Sequence, residues 1–440
     1  MIILKNKTIH TSALIFLCLG LAHCGPKAEK AEDEAPQMTD LDGELRAELD
    51  PTLLNFDSII GSLDLSSTYS DTPIQRLGPK VAIFDNGFDG LAYSLGRRLP
   101  PGIEVEPYPM SEPQETTHGT RIAELVYAIG SGSPSYHLER GGPQLSLYNT
   151  NGLTNLSFAV DAAIAAGVEM IVYAQTWEYG GNLDGSGFIN QLFDKARAAG
   201  IVVVVAVGNY AKSSYQQQVE FIKGSANIQF KNQGRFLTFK VPSTQPGVKI
   251  SLGWSDFRNT IAHRTELDLD LNLYNARNEK IASSAMIQDG ADHGDEKGFS
   301  DHAREIITMD LDAGTYLLDV SSKDPKKFSS DHRFWIAING HQIELDQPQA
   351  TNTVFIPADN PRVISVGASD VGYTSFSIPG LGPTPLKPEI KTISKVIYNS
   401  GETYDGSSAA TAIAAAKIAA IARMRGYIEE QSVLIKTLGR

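Results

Sequence analysis

Ile201-Val202-Val203-Val204-Val205-Ala206-Val207-Gly208-Asn209 is apolar on both faces for seven residues and then breaks at a glycine. A strand with one wet face alternates apolar and polar residues. This one does not, so both faces must be covered, the mark of a central strand in a parallel sheet. The segment before it, Phe188–Ala199, reads as a helix stopped by Gly200. Further upstream the alternation repeats. Val81–Phe84 is a buried strand ending at Asp85, and His118–Ile129 is a helix with Ile122, Leu125, Val126 and Ile129 on one face. Leu145–Tyr148 is a strand, Leu156–Ala166 an alanine-rich helix, and Met170–Ala174 a strand. This order predicts an α/β fold, a mostly parallel sheet with helices on both faces. In such sheets functional groups gather at the carboxyl ends of the strands, where Asp85 and Asn209 lie.

Between about residues 213 and 346 the period changes from helical to alternating. Phe236–Val241, Val248–Trp254, Leu267–Tyr274, Ile306–Leu311, Thr315–Val320 and Phe334–Ile338 are short β-rich segments separated by turn residues. They predict an all-β sandwich. The α/β pattern resumes at Val363–Val366 and ends in the alanine-rich helix after Ser408. The sandwich is therefore read as an insertion, with α/β domain parts at 78–212 and 347–440 and the insert at 213–346.

A net charge of −13 is the opposite of the basic face a nucleic-acid binder needs, so no nucleic-acid partner is expected. At the N-terminus, Lys5 and Lys7 precede the apolar run Ala13–Ala22 and then Leu21-Ala22-His23-Cys24. This reads as a signal peptide over 1–23, ending in a sequence similar to a bacterial lipobox. That similarity implies lipidation of Cys24, although His23 replaces the usual small residue. An ordinary cleaved signal and an uncleaved anchor are the alternatives. Both cysteines, Cys18 and Cys24, lie in this region, so no disulfide is expected in the folded part. Residues 24–50 read as a solvated, lipidated tether. Residues 51–77 form an extension whose apolar patch either packs on the main domain or is the remnant of a prosegment.

Four short segments carry the chemistry. They are Asp85-Asn86-Gly87, His118-Gly119-Thr120, Gly208-Asn209 and Gly406-Ser407-Ser408-Ala409. Singly each has a bland reading as a turn, a helix start or a cap. Together they supply what acyl transfer needs: a serine at a helix N-terminus, a histidine base, a carboxylate to orient it, and an amide donor for an oxyanion.

In order and spacing they resemble the subtilase family of serine peptidases. Val81-Ala82-Ile83-Phe84-Asp85-Asn86-Gly87 matches the Asp motif, His118-Gly119-Thr120-Arg121-Ile122-Ala123 the His motif, and Val205-Ala206-Val207-Gly208-Asn209 the oxyanion motif. Val363–Ala368 and Lys387-Pro388-Glu389-Ile390 are similar to segments ahead of the family's serine. Asp85 and His118 are 33 residues apart and His118 and Asn209 are 91, near the family's intervals. Asn209 to Ser408 is 199, the excess being the insert. The chain departs from the family at Ser407, Ala409, Ala412 and Glu124, none of them a catalytic position.

The resemblance implies a secreted serine endopeptidase acting on proteins or peptides with no required cofactor. It assigns Ser408 as nucleophile, His118 as base, Asp85 as its partner and Asn209 as oxyanion donor. It also places Gln175-Thr176-Trp177 on the substrate-binding strand, with Trp177 either narrowing the pocket or packing internally. A lipid on Cys24 would make the membrane a second partner, at the bacterial outer membrane or cell surface. The rival from another class is an inactive binding protein for peptides or glycans on the same fold. A third reading makes the insert the functional recruiter. In the insert, Asp268 and Asp270 leave one face of a strand. They read as calcium ligands or as solvated carboxylates.

Overall fold

The computed structural model describes residues 53–439 apart from 74, 232–233, 295, 349–351 and 379–385. The signal sequence, Cys24 and the tether lie outside these residues. Among the described residues no helix is long and apolar enough to cross a membrane.

The seven strands of the main sheet are β1 (Lys80–Asp85), β2 (Val105–Glu106), β3 (Gln144–Asn149), β4 (Met170–Tyr173), β5 (Val202–Ala206), β15 (Ile364–Ala368) and β16 (Ile390–Thr392). They run parallel in the order β16-β15-β5-β4-β1-β3-β2. β5 is buried along its whole length, as its unbroken valines require. Each such side chain removed from water is worth about 1.5–3 kcal/mol. The chain leaves β1 toward β3, then returns across it to β4. This reversal of strand order opens a crevice at the carboxyl end of β1, where Asp85 sits.

After β1 the chain makes the short helix α3 (Leu91–Ser94), and longer helices cover both faces of the sheet. On one face lie α4 (His118–Ser131) and α7 (Gly406–Arg425); on the other lie α5 (Leu153–Ala165) and α6 (Phe188–Ala198). The sequence predicts a single buried stripe on α4, but nearly every residue from Gly119 to Ser131 is buried. The alanines of α7 let it approach α4 closely. The extension, folded as α1 (Phe56–Ser62) and α2 (Ser66–Asp71), adds Phe56, Ile59, Ile60 and Leu65 to the same core. Tyr69 of α2 donates its hydroxyl to the carbonyl of Ile129. The extension thus packs on the main domain.

The full burial of α4 encloses Glu124 as well, and its partners offset the cost of burying its charge. It accepts a hydrogen bond from Ser94 and lies 2.7 Å from the Arg98 guanidinium, both charges being almost fully enclosed. Breaking such a pair by removing one partner costs about 3–5 kcal/mol.

Between β5 and β15 the chain builds two antiparallel sheets. One has the order β10-β9-β12-β7-β14 and the other β11-β8-β13-β6. Their strands are β6 (Ser214–Gln218), β7 (Leu237–Val241), β8 (Gln245–Trp254), β9 (Asp270–Asn275), β10 (Lys280–Ser284), β11 (Arg304–Leu311), β12 (Gly314–Ser321), β13 (Arg333–Asn339) and β14 (Glu344–Leu345). Leu237, Phe239, Leu271, Leu318, Leu252, Phe334 and Ile336 alternate inward to fill the space between. This core is continuous with the α5–α6 side of the parallel sheet. The fold is α/β with an inserted all-β sandwich. A hairpin of β17 (Val396–Ile397) and β18 (Thr403–Tyr404) then leads directly into α7.

Candidate active site

Asp85 ends β1 with no solvent exposure. Its Oδ1 accepts the backbone N–H groups of Asn86 at 2.9 Å and Gly87 at 3.4 Å. Its Oδ2 lies 2.6 Å from His118 Nδ1. The carboxylate is an acceptor, so Nδ1 carries the proton and Nε2 keeps its lone pair. Burial pulls the imidazole pKa down, and the charge and hydrogen bond of Asp85 outweigh it, leaving His118 above its ordinary 6.5.

This approach depends on Gly119. A Cβ there would meet the Asp85 Cβ at 2.7 Å and the Gly87 carbonyl oxygen at 2.6 Å. With glycine, α4 starts against the strand end, and Gly119 N–H donates to Gly87 O at 3.0 Å.

Ser408 occupies the first turn of α7 and lines an open cleft of about 1490 Å3 together with His118 and Asn209. The N–H of Gly406 is taken by Ser394 Oγ at 3.2 Å and that of Ser407 by Asn209 Oδ1 at 3.0 Å. The N–H of Ser408 is the next of the four that a helix start leaves without an intrahelical partner. Gly406 has φ of +90°, and a Cβ there would sit 3.1 Å from Asn209 Nδ2. With Oδ1 fixed on Ser407, Nδ2 is the donor end of Asn209. Ser407 is buried at 1% exposure, whereas Ser408 is partly exposed. The Ser408 hydroxyl donates to Ala174 O at 3.1 Å rather than to His118. Rotation about one side-chain bond would redirect it, and catalytic hydrogen bonds often close only around substrate.

Two further groups face this assembly. Gln175 Nε2 lies 3.3 Å from each oxygen of Asp85 and 3.2 Å from His118 Nδ1. Both nitrogens are donors, so the carboxylate is their shared acceptor and they do not bond each other. Sequence reasoning places Gln175 with the substrate contacts; the structure places its amide on Asp85, while it also lines the cleft. Tyr404 was not legible as a site residue. Its ring meets the His118 ring edge-on at 6.1 Å, and its buried hydroxyl lies beside the Ser408 side chain. Burial and the nearby Asp85 charge push its phenol well above the ordinary range, so it remains a donor. Its position at the end of β18, four residues before Ser408, was the available signal.

Thr176 lines the cleft, but Trp177 is not among its lining residues. Trp177 Nε1 donates to Tyr173 OH at 2.6 Å and its ring meets Tyr179 edge-on at 5.4 Å. Its backbone N–H and C=O pair with Ile356 at 2.7 and 3.2 Å.

In the sandwich, Asp268 and Asp270 each keep one buried oxygen without a hydrogen-bond partner. Burial first, then the Asp270 charge, pushes Asp268 up to about 6. Among the described residues no third acidic, histidine or cysteine group joins them. Calcium takes six to eight oxygens, so this pair is a partial set.

No family model and no curated protein matches the chain. Among solved structures, the Clostridium perfringens CspB protease is similar at 13% identity over 84% of this chain and 87% of that one, with a TM-score of 0.45. The epidermin leader peptide processing serine protease EpiP of Staphylococcus aureus is similar at 12% identity over 86% and 72%, with a TM-score of 0.38. The pre-peptidase C-terminal domain of collagenase from Bacillus anthracis matches 29% of this chain and 89% of its own at 11% identity, with a TM-score of 0.18. At such low scores the chemistry of this site rests on its own residues.

Proposed function

We propose that the protein is a serine endopeptidase of the subtilase type. The observation that carries this reading is the 2.6 Å contact of Asp85 with His118 Nδ1 in a cleft shared with Ser408 and Asn209. His118 Nε2 takes the Ser408 proton as Oγ bonds to the peptide carbonyl carbon. The oxyanion accepts hydrogen bonds from Asn209 Nδ2 and the Ser408 N–H. Collapse breaks the C–N bond, and His118 returns the proton to the leaving amine. Water then hydrolyses the acyl ester by the reverse proton path. Asp85 stabilises the imidazolium in each half-reaction.

A fluorophosphonate probe tests the nucleophile. The folded chain should gain one adduct on Ser408, absent in Ser408→Ala. An unlabelled parent chain would remove the reading.

The tether reading places the enzyme at the bacterial envelope on a Cys24 lipid, acting on protein or peptide substrates without a required cofactor. Labelling of cells with a clickable palmitate, lost in Cys24→Ala, tests the anchor. Calcium at Asp268 and Asp270 would need further oxygens from water or backbone. A thermal shift on calcium addition that disappears in Asp268→Asn is its test.

A further inference from the structure

The cleft that holds Ser408 and His118 does not end at the parallel-sheet domain. Pro242, His341 and Gln342, from turns of the inserted sandwich, and Thr315, at the start of β12, line it as well. At about 1490 Å3 it exceeds the roughly 300–1000 Å3 of a small-ligand pocket, so its extent suits a chain rather than a single side chain.

The sandwich side of the cleft is rigidly built. The buried Gln245 side chain grips His341 on both backbone groups, donating to its carbonyl at 2.7 Å and accepting its N–H at 2.7 Å. Gln342 is held at φ of +52°, a conformation unfavourable for a residue with a side chain. The loop that presents these two exposed side chains is tied back to the segment after Asn209. Leu345 N–H donates to Lys212 O at 2.9 Å, Ile338 N–H to Ser213 O at 2.9 Å, and Lys212 Nζ pairs with Glu344 at 2.6 Å. Asn209 and the loop therefore belong to one braced unit. Strain and bracing in an exposed loop are what a preorganised contact surface requires.

The chemistry of this wall selects among occupants. Its two lysines are neutralised, Lys212 by Glu344 and Lys240 by Asp346 at 3.2 Å. Neutral polar groups and turn backbone remain, which match the amides of an extended polypeptide and offer nothing to a polyanion. We propose that the inserted sandwich, through the His341–Gln342 loop, contacts an extended protein substrate away from the bond cut at Ser408. This rests on the peptidase reading above and assigns the insert a part in substrate selection.

The full chain carrying His341→Ala and Gln342→Ala together tests it, with casein as long substrate and 4-nitrophenyl acetate as short one. Both side chains are exposed, and Gln245 grips only backbone, so the fold is retained. The expected result is a drop of about tenfold in kcat/KM for casein, carried by KM, with the ester rate unchanged. Equal casein kinetics, or equal losses on both substrates, would overturn the proposal. If the parent chain cleaves neither substrate, the peptidase reading fails by itself. Binding of fluorescein-labelled casein then decides: about tenfold weaker binding by the double variant upholds the surface, and indistinguishable binding overturns it.

Discussion

Asn209 Oδ1 accepts the backbone N–H of Ser407 at 3.0 Å across 198 positions of sequence. One side chain therefore fixes the start of α7 to the end of β5, and by using its oxygen for this it commits its amide to the cleft. The insert lies between these two residues in sequence. Its two ends are tied together, Leu345 N–H donating to Lys212 O at 2.9 Å, so the long excursion closes without separating them.

Removal of that amide is expected to act on turnover. Asn209→Ala should lower kcat by about 10²–10³ with KM little changed, the usual loss of one oxyanion donor. Asn209→Asp keeps an acceptor for Ser407 and removes the donor, so it should be equally impaired while melting near the parent temperature. Steady-state kinetics on a peptide substrate, with thermal melts of both variants, checks this.

Gln175 should tune the Asp85–His118 pair. Donating into the Asp85 carboxylate spreads its charge and weakens its pull on the His118 proton. In Gln175→Leu the imidazole should become more basic, by about one pH unit or less for contacts as long as these. The acid limb of the kcat/KM profile would move to higher pH by that amount. A lowered plateau with an unmoved limb would show that Gln175 acts only as packing.

The pH dependence of the parent follows from His118. In the proposed mechanism His118 must be neutral to accept a proton, and Asp85 holds its pKa above the ordinary 6.5. Activity should therefore rise with pH to a midpoint above 6.5 and be lost as pH falls through it. Asp85→Asn leaves burial as the remaining influence, which lowers the midpoint. It also favours the wrong tautomer, for a loss of about 10⁴ in kcat. Rate profiles of the two proteins from pH 5 to 9 give both quantities.

Stability should carry the opposite slope from a different carboxyl. Asp359 is fully buried, and burial pushes it up to about 7 despite donors from Gly185 at 2.9 Å and Asn190 at 3.1 Å. Its folded-state pKa lies above the unfolded value of 3.8, so the native state binds more protons between the two. Its contribution to stability is full below about 4 and declines as pH rises to about 7. Asp359→Asn should flatten that part of the curve, measured as denaturation midpoints in urea at pH 4.5 and 7.5.

Several elements were legible in sequence because local physics fixes them. The valines of β5 permit no exposed face, and the period of two in Leu267–Tyr274 permits no helix. Others were not. Ser214–Gln218 is not among the β segments read from the sequence, yet it is a strand, with Gln216 and Gln217 buried. Gln216 donates to Asn352 O at 2.7 Å and Gln217 to Gln229 O at 2.8 Å, so distant carbonyls satisfy what the local pattern leaves open. Trp177 was readable as a cleft residue or a packing residue, and only the pairing of its backbone with Ile356 and its indole with Tyr173 distinguished them.

The order and chemistry of Asp85, His118, Asn209 and Ser408 are properties of the sequence, since motif, strand end and helix start are set by neighbours in the chain. What surrounds them is not. The amide of Gln175 on Asp85, the ring of Tyr404 against His118, and the sandwich loop facing the same cleft each join residues remote in sequence. Tertiary packing alone decides such contacts, because each depends on how whole sheets and helices bury their apolar faces.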